Sequence, residues 1–253
     1  MEEKRVLIPS ATGNKLHGVL YIASETKIPL TTPILIMCHG FTGDKYEWGR
    51  FPKTVKVLNK EGYDVIIFDF SGSGENKREV VNLSKQATDL EYVYEWVKNK
   101  GYSKIAVLGL SFGGQTVLKA SLPGIITYIF WAPLLLLHTT GDQADWFKDI
   151  AKGPVEIPSS GEFDPIIIDM SFVTDMGQFR VRPALKKLYP PTLIVQGTKD
   201  EKVPLELTQK AFSMMPQDNN HKLVEVQNAS HDFKEIHLQE FIRETVNWLK
   251  NYF

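Results

Sequence analysis

The chain of 253 residues balances 29 Lys and Arg against 30 Asp and Glu, a formal net charge of −1. This balance, with no basic stripe or acidic block along the chain, argues against nucleic acid and anionic membranes as partners. The most apolar windows, 125–131 and 134–137, fall far short of the roughly 20 residues that a membrane-spanning helix needs. No basic start and apolar stretch mark an export signal, and the single cysteine excludes an internal disulfide. We therefore expect a cytoplasmic protein in which Cys38 is buried and unreactive.

Two short β-rich runs, 4–8 and 15–22, open the chain and predict an antiparallel hairpin. Buried strands then alternate with amphipathic helices at 34–38, 55–61, 65–70, 83–98, 105–110, 113–120 and 125–131. After a gap, the alternation resumes at 192–196, 205–214, 222–226 and 238–248. Such alternation predicts an α/β fold, a mostly parallel twisted sheet with helices on both faces.

The alternation lapses between about residues 134 and 183, where glycines and prolines punctuate apolar and aromatic residues. We interpret this stretch as a small inserted cap, 134–183, on a core domain formed by 1–133 and 184–253. A cap so rich in apolar side chains predicts an apolar wall for a small-molecule substrate. Trp131, Leu134 and Trp146 are the candidate substrate-binding residues.

Residues 109–113, Gly-Leu-Ser-Phe-Gly, lie between a predicted strand and a predicted helix. A serine on a strained strand-to-helix turn projects its hydroxyl, so the positions two before and two after it must carry almost no side chain. Gly109 and Gly113 occupy those positions. The pattern predicts Ser111 as a nucleophile, and the alternative is a glycine-rich turn with an idle serine.

A serine nucleophile needs a histidine base and a carboxylate that orients the base. His221 directly precedes a strand and His237 approaches the last helix, whereas His231 follows a strand at the carboxyl edge of the sheet, where such sites lie. Asp200 also follows a buried strand, although an Asp before a helix can simply cap it. The sequence therefore predicts a triad of Ser111, Asp200 and His231.

The oxyanion that develops when a serine attacks a carbonyl needs two preorganised donors. The backbone N–H of Phe112, at the start of the helix after the serine, is one candidate. The N–H of Phe41, in the loop after strand 34–38, is the other. His39 precedes the serine in the chain, and we expect it to brace this loop by hydrogen bonding.

Four segments together resemble the α/β-hydrolase superfamily, and within it the capped esterases of the serine aminopeptidase and feruloyl or cinnamoyl esterase kind. They are 39–43, 109–114, 197–204 and 230–233. The resemblance covers nearly the whole chain and implies the α/β-hydrolase fold. It departs from the family pattern at Ser71, which stands where the family's Asp-x-Arg-Gly-x-Gly loop has arginine. A dinucleotide-binding loop has the pattern Gly-x-Gly-x-x-Gly, and residues 72–74 are not followed by its third glycine. The sequence therefore argues against a dinucleotide site here.

The predicted activity is that of a serine carboxylesterase, which hydrolyses short-to-medium acyl or aryl esters through an acyl-enzyme and uses no metal or organic cofactor. A phenolic acyl group would need a hydrogen-bonding residue such as Asp142, Gln143 or Asp164, so a general carboxylesterase is preferred. A peptidase, thioesterase or acyltransferase with the same triad is an alternative, and so is a hydrolase-fold protein that only binds a ligand. The expected partner is a small-molecule ester, and the sequence leaves a homodimer open.

Overall fold

An eight-stranded sheet organises the computed structural model, which describes residues 2–10, 13–23, 30–137, 148–159, 161–218 and 220–253. The strands in chain order are β1 (Glu2–Pro9), β2 (Lys15–Ile22), β3 (Pro33–Cys38), β4 (Asp64–Phe68), β5 (Lys104–Leu110), β6 (Thr127–Trp131), β7 (Val155–Ile157), β8 (Ile166–Ile168), β9 (Thr192–Gly197) and β10 (His221–Val226). The sheet order is β1-β2-β4-β3-β5-β6-β9-β10, and β7 pairs with β8 separately. β2 is antiparallel to both β1 and β4, and the other neighbours are parallel. The predicted hairpin and mostly parallel sheet are confirmed.

Helices cover both faces of this sheet. They are α1 (Arg50–Lys60), α2 (Leu83–Asn99), α3 (Phe112–Ala120), α4 (Met170–Gln178), α5 (Val181–Lys186), α6 (Leu205–Phe212) and α7 (Ile236–Leu249), and a short 3₁₀ turn spans Glu47–Gly49. Side chains alternate along each strand. In β3, therefore, Ile34, Ile36 and Cys38 pack in the cluster that includes α2 and α3, whereas Leu35 and Met37 pack in the cluster that includes α1 and α7. Cys38 is buried, as expected, and burial raises the pKa of its thiol.

The carboxyl ends of the parallel strands β3, β5, β9 and β10 meet at one edge of the sheet, because parallel strands run in the same direction. The loops that leave this edge carry Phe41, Ser111, Asp200 and His231. The fold therefore brings every residue predicted for the chemistry to one edge.

The segment 134–183 supplies β7, β8 and α4, and α5 begins within it. Side chains from this segment form an apolar cluster with Val81, Leu83 and Phe112 from outside it. The Val81 N–H also donates to the Ile167 carbonyl at 2.8 Å. The division of the chain into a core and an inserted cap stays a prediction.

Some element boundaries differ from the predicted ones. Helix α1 begins at Arg50, five residues before the predicted start, because Pro52 falls in its first turn, where the missing N–H breaks no helical bond. Strand β4 ends at Phe68, two residues before the predicted end, and the Asp69 carboxylate that follows it accepts hydrogen bonds from the N–H groups of Lys45 and Glu75. Among the helices of the described ranges, none is long and apolar enough to cross a membrane.

Candidate active site

Ser111 sits at the turn between β5 and α3 with φ 52° and ψ −118°, a conformation that is strained for a residue with a side chain. A Cβ on Gly109 would lie 2.7 Å from the Gly113 carbonyl oxygen, and one on Gly113 would lie 2.5 Å from the His39 carbonyl oxygen. Both glycines are therefore required by close backbone contact. The Ser111 carbonyl accepts a hydrogen bond from the Leu134 N–H at 2.9 Å.

His231 connects the serine to a carboxylate. Its Nε2 lies 3.1 Å from Ser111 Oγ, and its Nδ1 lies 3.0 and 2.9 Å from the two carboxylate oxygens of Asp200. A carboxylate can only accept, so the imidazole proton belongs on Nδ1, and Nε2 is left to accept from the serine hydroxyl. The structure thus brings together the three residues predicted as a triad, in the geometry that a nucleophile and its base need.

Asp200 is buried and held by further donors. The N–H groups of Lys202 and Val203 donate to its Oδ1 at 3.0 and 2.7 Å, and Gln196 Nε2 donates to its Oδ2 at 2.8 Å. Asp200 does not cap helix α6, because the N-cap position of that helix is Pro204. The carboxylate is therefore oriented toward His231 by its own turn.

The loop after β3 holds Phe41 beside the elbow. His39 is buried, its Nδ1 donates to the Gly40 carbonyl at 2.8 Å, and its Nε2 accepts from the Phe70 N–H at 3.1 Å. His39 thus braces this loop by hydrogen bonding. The Phe41 and Phe112 rings pack 5.8 Å apart, and the Phe112 N–H belongs to the first turn of α3, where no helical carbonyl can accept it.

Glu47 and Arg50 form a buried ion pair that the sequence interpretation missed. Glu47 Oε1 accepts from the Gly40 N–H at 2.6 Å, and Oε2 accepts from Arg50 Nη2 at 2.6 Å. Arg50 Nη1 then donates to the Asp232 carbonyl at 3.2 Å. The pair therefore links the loop that carries Phe41 to the loop that carries His231. The only signal in the sequence is a Glu and an Arg three residues apart, which usually marks an exposed helical turn.

A second buried pair fixes the loop in which Ser71 replaces the family's arginine. Lys45 Nζ lies 2.5 Å from Asp69 Oδ2 and 3.0 Å from Glu75 Oε1. Burial acts to lower the Lys45 pKa, but Asp69 and Glu75 outweigh it and hold the pKa above its usual value. The Ser71 N–H donates to Asp89 Oδ2 at 2.8 Å. The loop is thus secured without the arginine.

Ser111 and His231 open onto a cavity of about 840 Å³, within the range of small-molecule sites. Much of its lining is apolar and comes from the segment after β6, including Leu134, Ile157, Ile168, Phe172, Val173 and Met176. Leu134 thus lines the cavity, as a substrate-binding residue must, whereas Trp146 lies outside the described residues. In the described part of the chain, no three His, Cys, Asp or Glu side chains are grouped to hold a metal ion.

Trp131 does not line this cavity, and its selection as a substrate-binding residue was wrong. Its side chain is fully buried, and its Nε1–H donates to Thr245 Oγ1 at 2.9 Å. Its ring packs edge-on against Phe233 and Phe241, each at 5.7 Å. The alternation of side chains along β6 turns Trp131 toward α7, away from the substrate side.

Known proteins resemble this chain in sequence and in fold. A family model of the alpha/beta hydrolase fold matches residues 33–122, and one of the prolyl oligopeptidase family matches 173–253. A carboxylesterase of Bacillus subtilis (strain 168) is 24% identical over 200 residues, which are 73% of this chain and 79% of the relative.

Two solved structures share the fold over nearly the whole chain. The α/β hydrolase GrgF from Penicillium sp. sh18 superposes with a TM-score of 0.81 at 19% identity and covers 100% of this chain and 99% of its own. Est1E from Butyrivibrio proteoclasticus, with ferulic acid bound, has a TM-score of 0.78 at 24% identity and covers 98% of each chain. With the sheet order and the strand–turn–helix elbow already described, these matches establish that the chain has the α/β-hydrolase fold.

Proposed function

We propose that the protein is a serine carboxylesterase that hydrolyses short-to-medium acyl or aryl esters through an acyl-enzyme. One observation carries the proposal: His231 lies within hydrogen-bond reach of Ser111 Oγ on one side and of the Asp200 carboxylate on the other. The similarity to a Bacillus subtilis carboxylesterase and to Est1E supports an ester as the substrate. The strained backbone at Ser111 lowers the stability of the fold, and a protein that only binds a ligand would have no need of it beside a histidine and a buried carboxylate.

In the acylation step, His231 Nε2 takes the proton from Ser111 Oγ while Oγ forms a bond to the ester carbonyl carbon. The carbonyl oxygen becomes an oxyanion that the N–H groups of Phe41 and Phe112 stabilise. Asp200 stabilises the imidazolium. The bond between the carbonyl carbon and the alcohol oxygen then breaks, and His231 returns its proton to the leaving alkoxide.

In the deacylation step, a water molecule takes the place of the alcohol. His231 accepts one proton from this water as its oxygen bonds to the acyl carbon. Collapse of the second oxyanion breaks the bond to Ser111 Oγ, which takes the proton back from His231. The carboxylic acid leaves, and the enzyme returns to its starting state.

The acyl group would lie against residues 134–183, which we propose form a cap over the elbow. The described residues that this segment contributes to the cavity wall are apolar, among them Leu137, Ile150 and Phe172. Asp164 lies outside the wall, and Asp142 and Gln143 lie outside the described residues. An apolar acyl or aryl group therefore suits the site better than a phenolic one, whose hydroxyl would lose its hydrogen bonds there.

The test is the intact mass after treatment with a fluorophosphonate, together with hydrolysis of p-nitrophenyl esters of increasing acyl length. We expect one adduct per chain, absent in Ser111→Ala, and a kcat about 10⁶-fold lower in that variant. Ser121→Ala is a matched control, because Ser121 also has a positive φ of 47° but lies at the far end of α3. An adduct that persists in Ser111→Ala, or a wild-type chain without ester turnover, would refute the proposal.

A peptidase is the second candidate, favoured by the prolyl oligopeptidase model that matches 173–253. That match contains Asp200 and His231, which an esterase and a serine peptidase would use in the same way. The two are separated by a p-nitrophenyl ester and a p-nitroanilide with the same acyl group. We expect a far higher kcat/KM for the ester, and comparable values would instead indicate a peptidase.

A further inference from the structure

We infer that Trp48 forms the binding surface for the alcohol part of the ester and selects alcohols that carry an aromatic ring. The inference rests on the proposed esterase function, because it assigns one side of the same cavity. Trp48 lines that cavity together with Ser111 and His231.

The chemistry decides which side of the cavity takes the alcohol. His231 must protonate the leaving oxygen, so the alcohol lies beside His231. Arg50 connects the His231 loop to Trp48. Its Nη1 donates to the carbonyl of Asp232, the residue after His231, at 3.2 Å, and its guanidinium carbon lies 4.7 Å from the centre of the Trp48 ring. Trp48 is therefore on the alcohol side, whereas the apolar wall from the segment after β6 faces the acyl side.

Trp48 differs from the other aromatic residues of the cavity by its exposure. The residue is 57% exposed, whereas Phe112 and Phe172 are buried in the apolar cluster beneath the cavity. An indole left in water gives up the free energy that burial would provide, and a ligand that covers it recovers this free energy.

The backbone holds Trp48 in this exposed position. Glu47 and Trp48 both have left-handed backbone angles, with φ 46° and 52°. Such angles are unfavourable for residues other than glycine and persist where the surroundings impose them. Here Glu47 is fixed by its bonds to the Gly40 N–H and to Arg50, each 2.6 Å long. The outward position of the indole is thus imposed by the same buried pair that links the two catalytic loops.

The contacts of Arg50 identify the class of alcohol. Each of its three guanidinium nitrogens donates a hydrogen bond, Nε and Nη2 to Glu47 and Nη1 to Asp232. Its charge is balanced by Glu47 in a buried ion pair, so Arg50 offers no free positive charge to an anionic ligand. What remains for a ligand is the flat indole surface, which favours another aromatic ring over a saturated ring of equal size.

The test compares benzyl butyrate with cyclohexylmethyl butyrate, two esters that share the acyl group and the size of the alcohol ring. We expect the wild-type kcat/KM to be about fivefold higher for the benzyl ester, the scale of one aromatic pair. Trp48→Gly removes the indole and suits the left-handed backbone, so it should bring this ratio close to one. Trp48→Phe should keep most of the preference. Tyr189→Ala removes an exposed aromatic side chain outside the cavity and should keep the wild-type ratio.

The fluorophosphonate reaction of each variant reports whether Ser111 and His231 are still assembled, and Trp48→Leu provides a second variant without a ring. A wild-type ratio near one, or a ratio that survives in both Trp48→Gly and Trp48→Leu, would overturn the inference while ester turnover left the proposed function standing. If the wild-type chain hydrolysed neither ester and formed no adduct at Ser111, the proposed function itself would fall.

Discussion

The carboxyl edge of the sheet and the apolar wall opposite it are held by different forces. At the edge, directed hydrogen bonds hold the side chains in place. Asp200, for example, accepts from the Lys202 and Val203 N–H groups and from His231 Nδ1. In the wall, side chains such as Ile157 and Phe172 are held by apolar contacts. Directed bonds fix atoms to the accuracy that proton transfer needs, whereas apolar packing tolerates a change of side chain of similar volume. Under the proposed function, substitutions in the wall would therefore change substrate preference without moving Ser111, His231 or Asp200.

After the loss of Ser111 itself, the largest effect is expected at the edge, from Asp200→Asn. An amide side chain can donate to His231 Nδ1 and so favours the tautomer in which Nε2 cannot accept from Ser111. We expect kcat to fall about 10³- to 10⁴-fold with little change in KM, as for the corresponding change in other triads. Steady-state kinetics on a p-nitrophenyl ester measure this. Asp218→Asn, at an exposed carboxylate, is the control. If Asp200→Asn kept a tenth of the wild-type kcat, orientation of His231 by Asp200 would be unimportant.

Glu47→Ala tests whether the edge depends on the pair that joins its two loops. The change leaves Arg50 buried without its partner and the Gly40 N–H without its acceptor. We expect the free energy of unfolding to fall by about 3–5 kcal/mol, measured by urea denaturation, and kcat to fall more than KM rises. Glu47→Gln keeps an acceptor for the Gly40 N–H, so its stability and kcat should lie between those of the wild type and those of Glu47→Ala. Wild-type stability in Glu47→Ala would mean that the loops are held together in another way.

A smaller effect is expected where the wall is fastened to the rest of the chain. Asp175 of α4 accepts hydrogen bonds from the N–H and hydroxyl of Ser84 and lies 3.7 Å from Lys119 Nζ. Asp175→Ala should raise the KM for the p-nitrophenyl ester with the longest acyl chain that the wild type hydrolyses well. We expect an increase of about fivefold, which corresponds to the free energy of one hydrogen bond, and a smaller change in kcat. Asp169→Ala is a matched control, because Asp169 caps the same helix through Ser171 without reaching Ser84. Equal KM values in the two variants would contradict a role for this attachment.

The smallest effect is expected at the opposite edge of the sheet, at His221. Its side chain is buried, and its ring nitrogens have no hydrogen-bond partner in the described part of the chain. Burial lowers the pKa of His221, only partly opposed by Asp218. The unfolded chain therefore binds this proton more readily, so stability is full above about pH 6.5 and declines as the pH falls below it.

His221→Leu should remove that part of the decline. We expect the Tm of the variant to fall less than that of the wild type between pH 7.5 and pH 5.5, by about 2 °C in thermal melts. Parallel Tm curves for the two proteins would show that the proton on His221 does not affect stability.

The sequence predicted the fold well because the relevant signals are local. Buried apolar runs separated by amphipathic helices specify a parallel sheet, and the opening hairpin has its own turn. The proximity of Ser111, Asp200 and His231 could be predicted for a related reason: each follows a strand of that sheet, so strand direction alone brings them to one edge.

The rest depended on geometry that no pattern reveals. The link between Glu47 and Arg50 requires a left-handed turn at 47–49, and the same turn exposes Trp48. Trp131 ends a strand near the elbow, and only the register of side chains along β6 decides that it faces the core. Such contacts arise from tertiary packing, which neither residue type nor spacing determines.

The hydrogen bond from the Leu134 N–H to the Ser111 carbonyl fixes the position at which the segment after β6 begins. A backbone bond of this kind can be made by any residue at position 134 except proline, which has no N–H. A chimera that keeps residues up to Leu135 and then carries a foreign segment would therefore begin that segment at the same point, beside Ser111. If the protein is the esterase proposed above, such a chimera would join a new substrate wall to an unchanged elbow.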